Sequence, residues 1–410
     1  MKSIKYNYED FASKNKKNNT ILANNIYLDL DTSHTKRNNN VLVIGQPGSG
    51  KTEYIVKPNL EQKNSSYIVL DNSKLYETYA ENFKKSGYNV KIIDFNDTKR
   101  SNYYNPFEYI RDDLDVLVFV NCIIRNTNKW ESSDPFWEKS ETALLQAIVF
   151  YLIKHRPKEE QNFEFVMKLL RAAEVDESDP DKKSPLDRIF DEVQKKDPGS
   201  LALRQYQTFK MGAGKTLKSI VISCTNRLTM FDLKEIKNIT NKDNIALDKI
   251  DEGKQIVFVV PNRNESNNFL IAMLYTQIFK QLYNNAEYKY IPHCLPYHVR
   301  FIFDDIGSVG KIADFGTKLA TMRKYNINCM IVSQDLNTIK NIYNQNDEYE
   351  SIIGNCDSIV LTKSGNNVCK DFAKIIKILP EDELEELEYE KCFVFIKGIK
   401  PIKAFKYNVK

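Results

Sequence analysis

The sequence predicts an α/β protein with a mostly parallel central sheet, helices on both faces and an inserted all-helical domain. Three observations carry this. Short apolar runs alternate with amphipathic stretches over residues 38–108 and again after residue 216, the pattern of strands joined by crossover helices. Between residues 109 and 215 the strand signals vanish and amphipathic runs take over. The apolar run Val41–Ile44 leads straight into GQPGSGKT at Gly45–Thr52. The organisation expected is a lead-in segment (1–37), the first part of a phosphate-binding domain (38–108), a helical insertion (109–215) and the rest of that domain (216–410).

The elements follow in order. The lead-in is polar and basic-leaning, and its apolar stretch Ile26–Leu30 fits one strand. Val41–Ile44 reads as a strand, Lys51–Gln62 as a helix, Tyr67–Leu70 as a strand, Leu75–Ser86 as a helix ended by Gly87, and Val90–Phe95 as a strand. Glu138–His155 and Phe163–Ala173 read as helices of the insertion, separated by charged, proline-containing connectors at Glu177–Pro185 and Lys195–Gly199. Alternation resumes with the strand Gln255–Val260, the helix Phe269–Tyr283, the strand Val299–Phe303 and the helix Ala313–Lys324. The strands Asn328–Val332 and Ser358–Leu361 follow, then the acidic run Glu381–Glu390 as a solvated helical face, and Cys392–Ile396 with Ile402–Phe405 as a hairpin turned at Gly398.

Composition is ordinary for a globular chain, at 42% hydrophobic and 28% charged residues. A net charge of +4 neither demands nor excludes nucleic acid. Seven scattered cysteines without a C-x-x-C pair fit a reduced, cytosolic setting. No apolar stretch has the length to cross a bilayer, and MKSIKYNYED is not a signal peptide. The chain as given is expected to be soluble. The cluster HCLPYH at His293–His298 lacks a fourth ligand nearby and reads as a loop beside a strand, not as a zinc site.

The chemistry begins at Gly45–Thr52. The spacing G-x-x-x-x-G-K-T is complete and sits between a strand and a helix. Gly45, Gln46, Pro47, Gly48, Ser49 and Gly50 form a loop whose N–H groups turn inward around phosphates, backed by the positive end of the helix. Lys51 reaches the outer phosphates and the Thr52 hydroxyl reaches Mg²⁺, so ATP with Mg²⁺ is the expected ligand. Such a loop needs a carboxylate for its metal. VRFIFDD at Val299–Asp305 is an apolar strand ending in two acids. Asp304 is read as the metal's carboxylate and Asp305 as the group that polarises an attacking water. Most ATPases of this layout use Glu at the second position, and Asp is one methylene shorter. CMIVSQD places Gln334 at the tip of the next strand, where it either senses the γ-phosphate or merely ends the strand. Arg323 has two readings: an arginine finger reaching a neighbouring subunit, or a helix C-terminal cation answering the dipole. MGAGKT at Met211–Thr216 resembles a second phosphate loop, but Phe209 stands where the first glycine belongs and no strand precedes it.

With these residues in place, the chain resembles the conjugative coupling proteins of type IV secretion systems, the TraG/TraD-like ATPases, from about Asn40 onward. The resemblance rests on GQPGSGKTEYIVKPNL, SYIVLDNSKLYE, SNYYNPFEYI and DPFWEKSETALLQAIVFYL. It continues through FIFDDIGSVGKIADFGTKLATMRKYNINCMIVSQDLNTIKNIY and PEDELEELEYEKCFVFIKGIKPIKAFKY. It implies a RecA-like P-loop motor with a helical insertion, hexameric when assembled, at the cytoplasmic side of the cell membrane. Such a motor engages relaxosome proteins, recruits a relaxase–DNA substrate and drives single-stranded DNA transfer together with other secretion components. By position the resemblance gives Lys51 and Thr52 to phosphate and Mg²⁺, Asp304 to the metal, Gln334 to the γ-phosphate, and Arg323 to a trans-acting role.

Three departures stand out. The family usually begins with membrane-spanning helices and this chain shows none. Asp305 replaces the usual Glu. The segment between Ala373 and Pro380 is short, where many relatives carry a longer strand-and-loop excursion. Two alternatives to a DNA-pumping coupling protein remain open from the sequence: a recruitment receptor whose assembly nucleotide controls, and another DNA-translocating motor of the superfamily.

Overall fold

Alternation along each strand decides what covers each face of the sheet. In the computed structural model, described for residues 7–127, 135–174, 182–212, 214–262, 268–344, 347–376 and 379–408, nine strands form one sheet. They are β3 (Val41–Ile44), β4 (Ser66–Asp71), β5 (Asn89–Asp94), β6 (Gln255–Val260), β7 (Val299–Asp304), β8 (Ile327–Ser333), β9 (Ser358–Leu361), β10 (Lys391–Ile396) and β11 (Ile402–Phe405). Their order is β11-β10-β9-β3-β8-β7-β4-β6-β5. The seven strands from β9 to β5 run parallel, and β10–β11 add an antiparallel hairpin at one edge. The α/β reading with a mostly parallel sheet is therefore borne out.

Successive residues point to opposite faces. Leu42, Ile44, Ile68, Leu70, Phe301 and Phe303 face a core shared with most of the helices. Val41, Val43, Tyr67, Val69, Ile302 and Val332 face a smaller core with the N-terminal segment, the helix after β3 and the helix Leu75–Lys85. The seven inner strands are buried along nearly their whole length, which is why they read as continuous apolar runs, whereas the edge strands β5 and β11 are partly exposed.

The N-terminal segment supplies more than the single strand expected. β1 (Asn19–Ala23) and β2 (Ile26–Asp29) form a separate antiparallel hairpin. Its turn is Asn24–Asn25, with Asn25 at φ 61°, a left-handed conformation that asparagine tolerates and a tight hairpin requires. The Arg300 guanidinium, buried on β7, holds this hairpin down. It donates to Thr20 Oγ1 at 2.7 Å, Asn59 Oδ1 at 2.9 Å and Asn328 Oδ1 at 3.3 Å.

The helix after the glycine loop is not uniform. Thr52–Val56 is a wider π turn continuing into Lys57–Glu61. Pro58 explains this: its ring lacks an N–H and crowds the carbonyl four residues back, so the turn widens and Lys57 N–H reaches Thr52 O. The helix Leu75–Lys85 ends as expected, with Gly87 at φ 81° and Tyr88 N–H returning to Phe83 O at 3.1 Å.

The helices between β5 and β6 are Asp113–Thr127, Pro135–His155, Phe163–Arg171, Pro185–Lys196, Leu201–Lys210, Gly214–Arg227 and Lys234–Thr240. Caps mark their starts: Asn162 accepts from Phe165 N–H, and Ser184 forms a capping box with Asp187 ahead of Pro185, each cap contributing about 1 kcal/mol. The expected boundary at Lys215 falls inside the helix Gly214–Arg227. That helix buries Leu217, Ile220 and Cys224 and sets Arg227 against the buried Glu141 at 2.6 Å. Removing either partner of such a pair costs about 3–5 kcal/mol. Much of the connector Glu177–Pro185 lies outside the described residues.

Two helices are shorter than expected. The helix after β7 is Phe315–Thr321 followed by a 3₁₀ turn, Met322–Tyr325. The acidic run is helical only over Glu381–Glu385. Like charges at i, i+3 and i+4 repel, and Glu388 pairs instead with Lys391 and Lys403, each at 2.9 Å. All seven cysteines are free thiols. Among the described residues no helix is long and apolar enough to cross a membrane.

Candidate active site

The site gathers at the carboxyl ends of the parallel strands. β8 lies between β3 and β7, and the register pairs Ile44 with Ser333, Asp304 with Val332, and Asp71 with Asp304. The glycine loop after β3, Gln334 after β8 and the acids ending β7 thus emerge side by side. Sequence spacing cannot place them so, because 281 residues separate Ser333 from Thr52 and the order of strands in the sheet is not the order along the chain.

The loop's glycines are required by its shape. Gly48 and Gly50 take φ of 76° and 83°. A Cβ on Gly45 would meet Thr362 Oγ1 at 1.8 Å, and one on Gly50 would meet the Tyr54 ring at 2.4 Å. Gln46 N–H donates to Lys363 O at 3.1 Å, and Ser49 N–H to Gln46 O at 3.1 Å. The Ser49 hydroxyl meets Thr362 Oγ1 at 2.8 Å. Lys51 Nζ donates to the loop's own carbonyls, Gly45 O and, at 3.1 Å, Gln46 O. Burial lowers its pKa, against the opposing pull of Asp304 and Asp305.

Asp304 is the hub of the carboxylate side. Its Oδ1 accepts from the Thr52 hydroxyl at 2.8 Å and its Oδ2 from the Ser73 hydroxyl at 2.6 Å. Burial raises its pKa, and the two hydroxyl bonds oppose the rise. Asp305 stands at φ 83°, ψ 88°, a conformation rare outside glycine. Its Oδ1 accepts from Gly307 N–H at 3.2 Å, and its Oδ2 from Gln334 Nε2 at 3.2 Å. The strand-tip glutamine and the second acid are thus in direct contact.

Arg323 is not part of this cluster. It lies exposed on the turn before β8, whereas Gln334 follows the other end of that seven-residue strand, about 20 Å away. No residue of the same chain's site is within its reach. The second GKT, with Lys215 exposed, starts a helix that follows another helix, with no strand before it.

Several contributors were not picked out from the sequence. Ser73 and Asn72 follow β4 and touch Asp304, Asn72 Nδ2 donating to its carbonyl at 2.7 Å. Asp71 orders this corner, accepting from Ser73, Leu75 and Tyr76 N–H. The signal available was DNS directly after an apolar strand, legible as a site only once β4 is known to adjoin β7. Thr362 and Lys406 reach the loop from β9 and from beyond β11.

The oxygen-only pair of the Thr52 hydroxyl and the Asp304 carboxylate suits a small hard cation that keeps most of its water. Among the described residues there is no cluster of three or more His, Cys, Asp and Glu side chains that would hold a metal without a ligand's help.

Comparison with solved structures returns the same architecture. The plasmid coupling protein TrwB in complex with ADP and Mg²⁺ superposes with a TM-score of 0.72 at 14% identity, covering 98% of this chain and 91% of that one. TrwB in complex with the non-hydrolysable ATP analogue ADPNP gives 0.70 at 13% identity, with 98% and 91% covered. VirB4 of Thermoanaerobacter pseudethanolicus is more distant, at 0.55 and 12% identity over 90% and 89%. At these identities the likeness speaks for the fold. No curated protein matches by sequence. The family profile described as Type IV secretory system Conjugative DNA transfer matches residues 3–379. With a match over nearly its whole length, and with its strand-tip loop, acids and glutamine in one cluster, the chain belongs to the conjugative DNA transfer family of type IV secretory systems.

Proposed function

We propose that this chain is an ATP-hydrolysing coupling protein that works with Mg²⁺ and drives single-stranded DNA through a type IV secretion system. The observation that carries the reading is the convergence at four strand tips of the glycine loop, the Thr52–Asp304–Ser73 hydroxyl–carboxylate chain and the Asp305–Gln334 contact. Loop amides and Lys51 bind the phosphates. Thr52 and Asp304 are the residues to hold Mg²⁺, which neutralises phosphate charge when bound. Asp305 orients the attacking water, and Gln334, bonded to it, links that acid to the γ-phosphate.

Arg323, exposed and remote from its own site, acts on the nucleotide of a neighbouring subunit in a ring, and a hexamer is the assembly proposed. The helices between β5 and β6 select the protein substrate, a relaxase with its DNA, and the site of action is the cytoplasmic face of the membrane beside other secretion components.

The test is the ATPase rate with and without single-stranded DNA across protein concentration. Hydrolysis that rises with both supports a ring-forming motor. Nucleotide binding without hydrolysis under any of these conditions moves the chain to the receptor class.

A further inference from the structure

Lys406 follows β11 at the far end of the chain, beyond the residues 3–379 that the family profile matches. Its side chain is only 6% exposed. An ammonium is costly to bury unless it is well bonded, and this one is bonded mainly to the glycine loop and its cover. Lys406 Nζ donates to Ser49 O at 2.8 Å and to Tyr389 O. It lies 4.0 Å from the centre of the Tyr389 ring and 5.5 Å from that of Tyr54. Its own N–H donates to Glu390 O at 2.9 Å. Burial lowers its pKa.

The carbonyl it holds has a defined partner. Ser49 C=O and Gly50 N–H belong to one planar trans peptide, so they point in opposite directions. A cation fixing the carbonyl outward aims the Gly50 N–H to the other side, into the loop. The same charge polarises the peptide and makes that N–H a stronger donor. The Ser49 side chain is tied separately to Thr362, so the peptide is held from both flanking elements.

We propose that Lys406 is a positioning residue for nucleotide: it orients the Ser49–Gly50 peptide toward the phosphates and makes the shape of the loop depend on docking of the C-terminal hairpin. The proposal rests on the nucleotide reading of the loop. It gives β10–β11 a part in ligand binding as well as in closing the sheet edge.

The experiment titrates the full chain with Mg²⁺ and a fluorescent ADP, and follows the Gly50 amide resonance in the bound state. Lys406→Met is expected to raise Kd about tenfold, the size of one charge-assisted hydrogen bond, and to shift the Gly50 amide proton upfield. Lys406→Arg is expected to recover most of the affinity. If Lys406→Met does not fold, Lys406→Gln keeps a donor without the charge and is expected to weaken binding about threefold. A neutral variant that folds and binds within the error of the wild type overturns the proposal, as does an unchanged Gly50 resonance in the bound state. If the wild type itself fails to bind the probe, it is the nucleotide reading that falls. If the wild type binds and the neutral variant matches it, only the role of Lys406 falls.

Discussion

Asp305 joins a proposed catalytic role to a backbone strain, and the two can be separated by substitution. Its φ of 83° places a Cβ where an L-residue is disfavoured, at about 1–2 kcal/mol relative to a relaxed backbone. Glycine escapes that penalty but loses about 0.5–1 kcal/mol more chain entropy on folding than alanine. The difference predicts that Asp305→Gly is more stable than Asp305→Ala by about 0.5–1 kcal/mol, reversing the usual order. Asp305→Asn keeps a side chain suited to this conformation and an oxygen for Gly307 N–H, so its stability should stay within about 0.5 kcal/mol of the wild type. Turnover separates the roles. If Asp305 orients the attacking water, Gly, Ala and Asn variants all lose about 10²-fold or more in kcat, while nucleotide affinity holds. Denaturant unfolding and a coupled ATPase assay measure the two properties. An alanine variant as stable as the glycine variant refutes the strain argument, and an asparagine variant with wild-type turnover refutes the catalytic one.

Three further outcomes are expected. Lys51→Ala abolishes hydrolysis and weakens nucleotide binding, whereas Lys215→Ala, on a helix that follows another helix, leaves binding unchanged; nucleotide titration of both variants checks the pair. Arg323→Ala mixed with Lys51→Ala recovers activity that neither has alone, because the first lends an intact loop and the second an intact guanidinium; hydrolysis at the wild-type rate by Arg323→Ala alone would return that residue to a helix-end role. His298, its Nδ1 2.7 Å from the Ser65 hydroxyl, has its pKa pushed down to about 3 by burial and then by the nearby Arg300 charge. A base with a depressed folded pKa contributes stability that is present above its unfolded pKa and is lost as pH falls below it. Between pH 8 and pH 5 the chain should therefore lose about 2 kcal/mol through this group, and the loss should be absent in a folded His298→Asn variant compared by denaturant unfolding at both pH values.

What was legible from sequence follows from how local each signal is. All nine strands of the main sheet are legible within a residue or two, seven of them because they are apolar runs buried on both faces, and the edge strands β5 and β11 because a short apolar pattern survives in them. The glycine loop was legible for a similar reason: one contiguous stretch carries every residue the turn needs. Asp304 could be picked out because it ends such a strand. What joins these pieces is not local. Ser73 reaches Asp304 only because β4 lies against β7, and Gln334 reaches Asp305 only because β8 also does. The neighbours of a strand-ending glutamine in sequence do not say what it faces; the hydrogen bond to Asp305 is what brings Gln334 into the cluster. The β1–β2 hairpin was half missed because its turn is Asn-Asn, without the glycine that usually marks such a turn, and because its anchor, Arg300, lies far along the chain. Lys406 is the extreme case. It looks like any lysine after a short edge strand, and only closure of the sheet by β10 and β11 brings it, from 357 residues away, to the carbonyl of Ser49.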